Sequence, residues 1–280
     1  MGWFTVRRWC LLVLVALAGC AVSPDSPEGK ALQETLWQAQ RERNAKTVQL
    51  APPSGRLLVL AAGLSDETKA FPGDVLGTVE GVKSLRPDAL VWSMWNAPFG
   101  EKPAAPFATR ESLRRAVAEM REAARPGDRI LVMLTSHGHL DVLANVAANR
   151  HYPPIRGAEL RELLMPLSDW ETGVVLSACH SGSLIPALRY PKRWIMTAAA
   201  ADRSSYGCQF HGKQTYFIQG LLNTFAGPDM GLDVWHAATS QRIRAGEDAA
   251  KLTPSLPQLW VGPAVQHYRQ SLATFWRPRP

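Results

Sequence analysis

The stretch that decides the fold is residues 174–183, VVLSACHSGS. An apolar run ends at Cys179, and the Ser-Gly-Ser segment after it is typical of a turn. Residues 130–139, ILVMLTSHGH, show the same pattern, with His137 and a glycine at the end of the apolar run. Short apolar runs bounded by turn residues are typical of strands buried on both faces. The two runs therefore predict two strands of a parallel sheet, one ending near a histidine and the other near a cysteine.

Further apolar runs alternate with amphipathic segments along the chain. The pattern predicts strands at residues 56–63, 89–94 and 194–200, and an edge strand at 256–261. It predicts helices at residues 75–85, 109–124, 155–165, 215–225 and 234–245. Strands that alternate with helices indicate an α/β fold with a mostly parallel sheet. The chain has neither a GxGxxG nor a GxxxxGK[ST] motif, so a nucleotide-binding fold is not indicated.

Composition is that of a globular protein, with 46% hydrophobic and 20% charged residues in a chain of 280. The formal net charge is +7, but the basic residues are scattered, so nucleic-acid binding is not expected. The four cysteines lie at positions 10, 20, 179 and 208. Their spacing gives no zinc motif and no disulfide scaffold, and a bridge between the last two would consume a reactive thiol at Cys179. No metal or other cofactor is predicted.

The N-terminus has the features of a secretory signal. Arg7 and Arg8 precede an apolar run at residues 11–17 that is too short to span a bilayer. Residues 17–20, LAGC, resemble the bacterial lipobox, which implies lipidation of Cys20 and a membrane anchor. Ala21 rather than aspartate follows, so we expect a location in the bacterial cell envelope, at the outer membrane and facing the periplasm.

Three segments follow from these features. Residues 1–19 are expected to be the lipoprotein signal peptide, and residues 20–55 a lipidated tether with a possible short helix at 31–46. The Pro-Pro-Ser-Gly sequence at residues 52–55 breaks the chain before the first predicted strand. Residues 56–280 are expected to form a single domain.

The chemistry is expected where the two apolar runs end. Sites of open α/β sheets form at the carboxyl ends of the strands, so His137 and Cys179 meet if their strands are neighbours. A thiolate attacks carbonyl carbons, and an imidazole can activate the thiol and then protonate the leaving amine. The backbone N–H groups of Gly138 and Cys179 could form an oxyanion hole. The turn at residues 181–183 could open a helix whose N-terminus favours the thiolate.

Three motifs together resemble the signatures of the legumain-like peptidases, family C13 of clan CD. They are TSHG at residues 135–138, SACHSGS at 177–183 and SSYGC at 204–208, and the resemblance covers roughly residues 57–225. It implies a caspase-like three-layer αβα sandwich. It also implies that Cys179 is the nucleophile, that His137 is the general acid and base, and that no cofactor is used.

The resemblance is weaker in the specificity pocket. Legumains have an acidic residue directly after the catalytic cysteine, where this chain has His180, and another where the chain has Gln219. Ser205 matches a pocket residue of the family. The sequence therefore names His180, Ser205 and Gln219 as candidate substrate contacts and does not predict asparagine specificity.

The hypothesis from sequence is a cysteine-type endopeptidase that cleaves peptide or protein substrates through a thioester, anchored to the envelope at Cys20. One alternative is a non-catalytic lipoprotein that keeps the fold as an interaction module. Another is a transpeptidase, which would pass the acyl group to an amine instead of water. A serine hydrolase is disfavoured because the chain has no GxSxG elbow. The oligomeric state is left open.

Overall fold

The described part of the chain follows the predicted alternation of strands and helices. The structure is a computed structural model that describes residues 22–52, 54–98, 100–209 and 212–277. Cys20 and the expected signal peptide at residues 1–19 lie outside the described residues. No helix within the described ranges is long and apolar enough to cross a membrane.

The strands are β1 (Leu57–Gly63), β2 (Leu90–Trp95), β3 (Arg129–Thr135), β4 (Gly138–His139), β5 (Val142–Ala147), β6 (Arg150–Arg156), β7 (Glu171–Ser177), β8 (Arg193–Thr197) and β9 (Gln258–Val261). The α-helices are α1 (Pro27–Val48), α2 (Ala70–Leu85), α3 (Arg110–Ala123), α4 (Gly157–Leu164), α5 (Ile185–Leu188), α6 (Tyr216–Thr224), α7 (Leu232–Ala249) and α8 (Ala273–Trp276). Short 3₁₀ helices cover Met165–Leu167, Ser181–Leu184 and Pro263–Arg269.

A six-stranded sheet in the order β2-β1-β3-β7-β8-β9 forms the centre of the fold. All its pairs are parallel except β8 with β9, which are antiparallel, so the predicted edge strand is confirmed. We call the side on which β1, β3 and β7 end the carboxyl edge, and the side on which they begin the amino edge. The two strands singled out by the sequence, β3 and β7, are neighbours.

Each central strand is buried on both faces, which explains its continuous apolar sequence. In β1, Leu58 and Leu60 pack with the helices α1, α3, α4 and α5, whereas Leu57 and Val59 pack with α2, α6, α7 and α8. Successive side chains of a strand point to opposite faces, so both helix layers need apolar partners. The predicted three-layer αβα sandwich is thereby confirmed.

A second, antiparallel sheet of β4, β5 and β6 was not predicted from the sequence. Its strands are short, a register shift interrupts β5 with β6, and β6 contains two prolines. Proline and irregular register weaken the alternating pattern by which strands are recognised. The helix predicted at residues 155–165 consequently begins at Gly157, because the two preceding residues belong to β6.

The helix α1 confirms the possible short helix at residues 31–46 and extends it at both ends, to residues 27 and 48. It begins at Pro27 after the N-cap Ser26, a start signal that the prediction of residues 31–46 overlooked. Its Trp37 is fully buried. The Asn44 side chain pairs with both the N–H and the C=O of Val91, at 2.9 and 3.0 Å. The helix therefore covers the outer edge of β2, whose backbone groups would otherwise be open to another chain.

The helix α2 begins five residues earlier than predicted, at Ala70 rather than at residue 75. Pro72 lies in the first turn, where proline is tolerated because backbone N–H groups have no partner within the helix. The early start matters for the site because it places Phe71 and Asp74 at the carboxyl edge.

Candidate active site

The fold brings the ends of the two strands together at the carboxyl edge. Thr135 of β3 is in register with Ser177 of β7, and the Ser136 N–H donates to the Ser177 carbonyl at 3.1 Å. His137 and Cys179 each follow the last paired residue by two positions. The neighbouring strands that the sequence analysis required are therefore present, and the imidazole and the thiol leave the sheet on the same side.

The thiol of Cys179 is half-buried and lies against the backbone of Ser205. The Ser205 N–H donates to Sγ at 3.3 Å, the thiol can donate to the Ser205 carbonyl at 3.5 Å, and the Ser205 hydroxyl is 3.8 Å from Sγ. An N–H aimed at the sulfur stabilises a thiolate. Ser205, predicted as a substrate contact, is thus placed directly beside the candidate nucleophile.

The imidazole of His137 is held between an aromatic ring and a carboxylate. It meets the ring of Phe71 edge-on, with 5.0 Å between centroids, and its Nε2 lies 3.6 Å from Oε2 of Glu67. Ser65 donates to the same oxygen of Glu67 at 3.0 Å. With 38% of its side chain exposed, His137 remains accessible from solvent. The Glu67 carboxylate and the Phe71 ring together can hold the orientation of the imidazole.

Gly138 follows His137 where the chain passes closely over the Cys179 backbone. A Cβ at Gly138 would lie 2.3 Å from the Cys179 carbonyl oxygen and 2.9 Å from the Ala178 side chain. Any larger residue would force the two segments apart, so glycine is needed for their approach. The two predicted oxyanion donors, the N–H groups of Gly138 and Cys179, are thereby on adjoining backbone segments.

After Cys179 the chain turns sharply. His180 has a left-handed backbone (φ 56°, ψ 16°), and its N–H donates to the Arg203 carbonyl at 2.7 Å. The 3₁₀ helix Ser181–Leu184 follows, and the Gly182 N–H donates to the Ala199 carbonyl at 2.9 Å. These two hydrogen bonds join the segment after Cys179 to the residues that follow β8.

The other predicted contacts fall at two different places. The His180 ring lies 3.0 Å through Nδ1 from the Ala201 carbonyl, and its centroid is 5.3 Å from that of His139. The rings of His139 and His180 therefore lie next to each other. Gln219 is exposed on α6, along a groove toward α7 whose lining contains neither His137 nor Cys179. The structure thus places His180 and Ser205 next to Cys179, and Gln219 on α6 along the groove toward α7.

Cys208 lies on the same loop as Ser205 and is a free thiol. Burial raises its pKa, and the nearby Cys179 and Asp74 raise it further. Cys208 is therefore less nucleophilic than an ordinary thiol at neutral pH.

Three residues of the site were missed by the sequence analysis: Glu67, Phe71 and Asp74. Glu67 lies in the loop after β1, and Phe71 and Asp74 lie in the first turns of α2. Phe71 and Asp74 reach the site because α2 packs against β1 and β3. Because the three residues lie 63–70 positions before His137 and belong to none of the three motifs, local pattern could not have identified them.

The first comparison with known proteins concerns the fold. The structure is similar to that of caspase-1 from Spodoptera frugiperda, with a TM-score of 0.51 and 16% sequence identity. The match covers 74% of this chain and 86% of that one. The class of the protein is therefore that of the caspase-like αβα folds.

The second comparison concerns the sequence. The Peptidase C13 family model matches residues 117–227, a span that contains His137, Cys179 and Ser205. A search of curated proteins finds no match. The family match agrees with the resemblance of the three motifs to legumain-like peptidases, and the structural match agrees with a caspase-like fold.

Proposed function

We propose that this protein is a cysteine-type endopeptidase in which Cys179 is the nucleophile and His137 is the general acid and base. The observation that carries the proposal is the placement of both residues at the ends of neighbouring parallel strands, with the Ser205 N–H 3.3 Å from the sulfur. The match to the C13 family model spans both residues.

The proposed reaction begins when His137 accepts the thiol proton and the Cys179 sulfur attacks the peptide carbonyl carbon. The N–H groups of Gly138 and Cys179 stabilise the oxyanion that forms. As the C–N bond breaks, His137 returns its proton to the leaving amine, and a thioester remains on Cys179. His137 then takes a proton from water, whose oxygen attacks the thioester, and the proton passes to the departing sulfur. Glu67, whose Oε2 lies 3.6 Å from Nε2 of His137, helps to hold the ring in place.

Cleavage specificity is proposed to differ from that of enzymes that select asparagine. His180 directly follows Cys179, where legumains have an acidic residue, and its ring lies next to that of His139. Imidazole groups donate hydrogen bonds to anionic or carbonyl oxygens and, once protonated, attract anions. We therefore expect substrate libraries to show no preference for asparagine before the cleaved bond.

The test of the activity uses the two cysteines of the folded domain as a matched pair. Cys179→Ala is expected to abolish hydrolysis of a peptide library and labelling by a thiol-reactive peptide probe. The thiol of Cys208, on the loop that contains Ser205, is less nucleophilic because its pKa is raised. The variant Cys208→Ala is therefore expected to retain both hydrolysis and labelling. If Cys179→Ala hydrolyses peptides like the wild type, the proposal is wrong.

The same experiment separates the two alternatives. A non-catalytic interaction module would give neither hydrolysis nor probe labelling in the wild type. A transpeptidase would give ligated products when a peptide amine is added, and mass spectrometry distinguishes these from hydrolysed products.

We also propose that the chain is a bacterial lipoprotein, anchored at Cys20 in the outer membrane and facing the periplasm. The support is the order of Arg7-Arg8, the apolar run and the LAGC sequence. Asp25, five residues after Cys20, accepts a hydrogen bond from the Tyr152 hydroxyl at 2.8 Å. Five residues span at most about 18 Å, so the anchor would hold the domain close to the bilayer.

Anchoring is tested by mass spectrometry of the N-terminal peptide and by fractionation. Wild-type protein is expected to carry a diacylglyceryl group on Cys20 and to sediment with outer membranes. Cys20→Ser is expected to be released from the membrane fraction, and an unmodified Cys20 in the mature wild type would contradict the proposal.

A further inference from the structure

A fully buried carboxylate lies beneath the candidate active site. Asp74 of α2 has no solvent exposure. Its Oδ2 accepts hydrogen bonds from the hydroxyls of Thr135, at 2.7 Å, and Thr215, at 2.9 Å. Its Oδ1 accepts from the Thr215 N–H at 2.9 Å. Three donors converge on the carboxylate, the arrangement expected for the ionised form, which can only accept.

The partners of this carboxylate belong to the elements that carry the two reactive groups. Thr135 is the last residue of β3, two positions before His137. Ser177 is the last residue of β7, two positions before Cys179, and its hydroxyl is 2.8 Å from that of Thr215. One connected set of polar groups therefore joins the strand of the histidine to the strand of the cysteine.

The same set extends to the loop that contacts the sulfur. Thr215 is the N-cap of α6, where its hydroxyl accepts from the Ile218 N–H, and the next N–H, of Tyr216, donates to the Tyr206 carbonyl at 2.9 Å. Tyr206 directly follows Ser205, whose backbone lies against Sγ. Through Thr215, the carboxylate therefore also helps to position the loop that contains Ser205 and Tyr206.

A buried acid of this kind is costly for the folded state. Burial raises the pKa of Asp74 to about 7, against the opposing effect of its hydrogen bonds from Thr135 and Thr215. No salt bridge to Asp74 occurs within the described ranges of the chain. Buried polar groups that lower the stability of the folded state are expected chiefly at functional sites.

We propose that Asp74 is a positioning residue that sets the relative placement of His137, Cys179 and the Ser205 backbone by hydrogen-bonding the ends of β3 and α6. It does not touch the reacting atoms and acts through Thr135 and Thr215. The inference rests on the proposed function, in which His137 and Cys179 must be aligned for proton transfer and attack.

The sharpest test changes Thr135, which couples the carboxylate to the strand of His137. Thr135→Val keeps the volume and removes the hydroxyl, whereas Thr135→Ser keeps the hydroxyl and removes a methyl group. A positioning role predicts that kcat falls roughly tenfold to a hundredfold in Thr135→Val with KM little changed, and that Thr135→Ser stays near the wild type. A packing role predicts the reverse order, because serine leaves the cavity. Activity in Thr135→Val equal to or above that in Thr135→Ser overturns the proposal.

A second variant removes the charge itself. Asp74→Asn is expected to lower kcat by a similar factor, about tenfold or more. Its matched control is Asp128→Asn, the same change at an equally buried carboxylate on the amino edge. The control is expected to lower the melting temperature and leave the kcat of the folded protein unchanged. Equal kcat in the two variants overturns the proposal.

A third measurement does not depend on peptide hydrolysis. The rate of alkylation of Cys179 by iodoacetamide near neutral pH is followed by mass spectrometry of the peptide that contains it, with the Cys208 peptide as internal reference. Asp74→Asn and Thr135→Val are expected to slow alkylation toward the rate of His137→Ala, and Asp128→Asn is not. If the wild type cleaves no peptide, the proposed function fails, while these rates still decide whether Asp74 positions the pair. Wild-type rates in Asp74→Asn and Thr135→Val overturn the positioning role.

Discussion

The two edges of the central sheet hold buried charge in different ways. At the amino edge, Arg56 and Asp128 form a fully buried ion pair with 2.6 Å between Nη2 and Oδ2. Arg129 and Glu171, on neighbouring strands, lie 2.6 Å apart through Nε and Oε2. At the carboxyl edge, Asp74 is just as deeply buried but is held by hydroxyl and amide groups. At the amino edge, a buried charge is paired with an opposite charge. At the carboxyl edge, the buried carboxylate is bound by neutral hydrogen-bond donors.

The buried charged groups at the two edges also differ in whether they change protonation state near neutral pH, as Arg193 and Asp74 show. Arg193 is buried at the amino edge against backbone carbonyls, with Nη1 2.7 Å from the Leu188 oxygen, and burial lowers its pKa to about 10. It therefore stays charged at neutral pH. Asp74, with its pKa raised to about 7, changes charge there. The amino edge carries fixed charges that stabilise the fold, whereas the carboxyl edge carries an adjustable one beneath the reactive groups.

The largest effect is expected from removing the imidazole at the carboxyl edge. His137→Ala should lower peptide hydrolysis about 10²–10⁴-fold, the usual contribution of a general acid and base, with little change in melting temperature because the ring is partly exposed. His151→Ala, at an exposed position on β6, is the control and should retain the activity of the wild type. Activity assays and thermal melts of both variants measure this, and comparable losses in the two would remove the distinction between the histidines.

The next effect is expected at the amino edge and on stability alone. Asp128→Asn leaves Arg56 buried without its counter-charge, so the free energy of unfolding should fall by about 3–5 kcal/mol. Urea unfolding measures the loss. The exposed pair of Arg244 and Asp248 serves as control, and Asp248→Asn should cost less than about 1 kcal/mol. Equal losses would show that the buried pair does not stabilise the edge as argued.

A third prediction uses the pKa of Asp74. Because this pKa is raised from 3.8 in the folded protein, the folded state binds more protons than the unfolded state between that value and about 7. The stabilising contribution of the protonated form is therefore lost as the pH rises through about 7. The stability of the wild type relative to Asp74→Asn should decrease from about pH 5 to about pH 8 in urea titrations. Parallel stability curves for the two proteins would contradict the raised pKa.

The smallest effect is expected from Tyr268→Phe at the amino edge. The hydroxyl accepts from Arg129 Nε at 2.8 Å and donates to Glu171, and burial raises its pKa. Since Arg129 keeps its contact with Glu171, the loss should be about 0.5–1.5 kcal/mol in the free energy of unfolding, with kcat unchanged. A loss of activity in this variant would mean that the two edges are coupled, and the comparison would need revision.

Much of the fold could be predicted because its signals are local. The continuous apolar runs of β1, β3 and β7 follow directly from burial on both faces, and the helix caps at Thr109 and Thr215 mark where α3 and α6 begin. The small sheet of β4 to β6 was missed because its strands are short and irregular. The docking of α1 was missed because Trp37 and Asn44 find their partners far along the chain.

The residues of the site likewise divide into those that local sequence predicts and those that depend on contacts between distant parts of the chain. His137 and Cys179 were predicted from the ends of two apolar runs and from motifs close in sequence. Asp74 could not be, since its partners Thr135 and Thr215 are 61 and 141 positions away. Gln219 was proposed from an alignment, and the structure places it on α6 beside a groove toward α7.

The sequence by itself determined the strands and helices and the chemistry of a histidine and a cysteine, because hydrophobic periodicity and turn residues act over a few positions. The tertiary structure alone decided that β3 and β7 are neighbours, that Ser205 meets the sulfur, and that a buried carboxylate joins the ends of these elements. These contacts depend on strand order and on the start of α2, which are settled by the packing of the whole chain and not by any short segment of it.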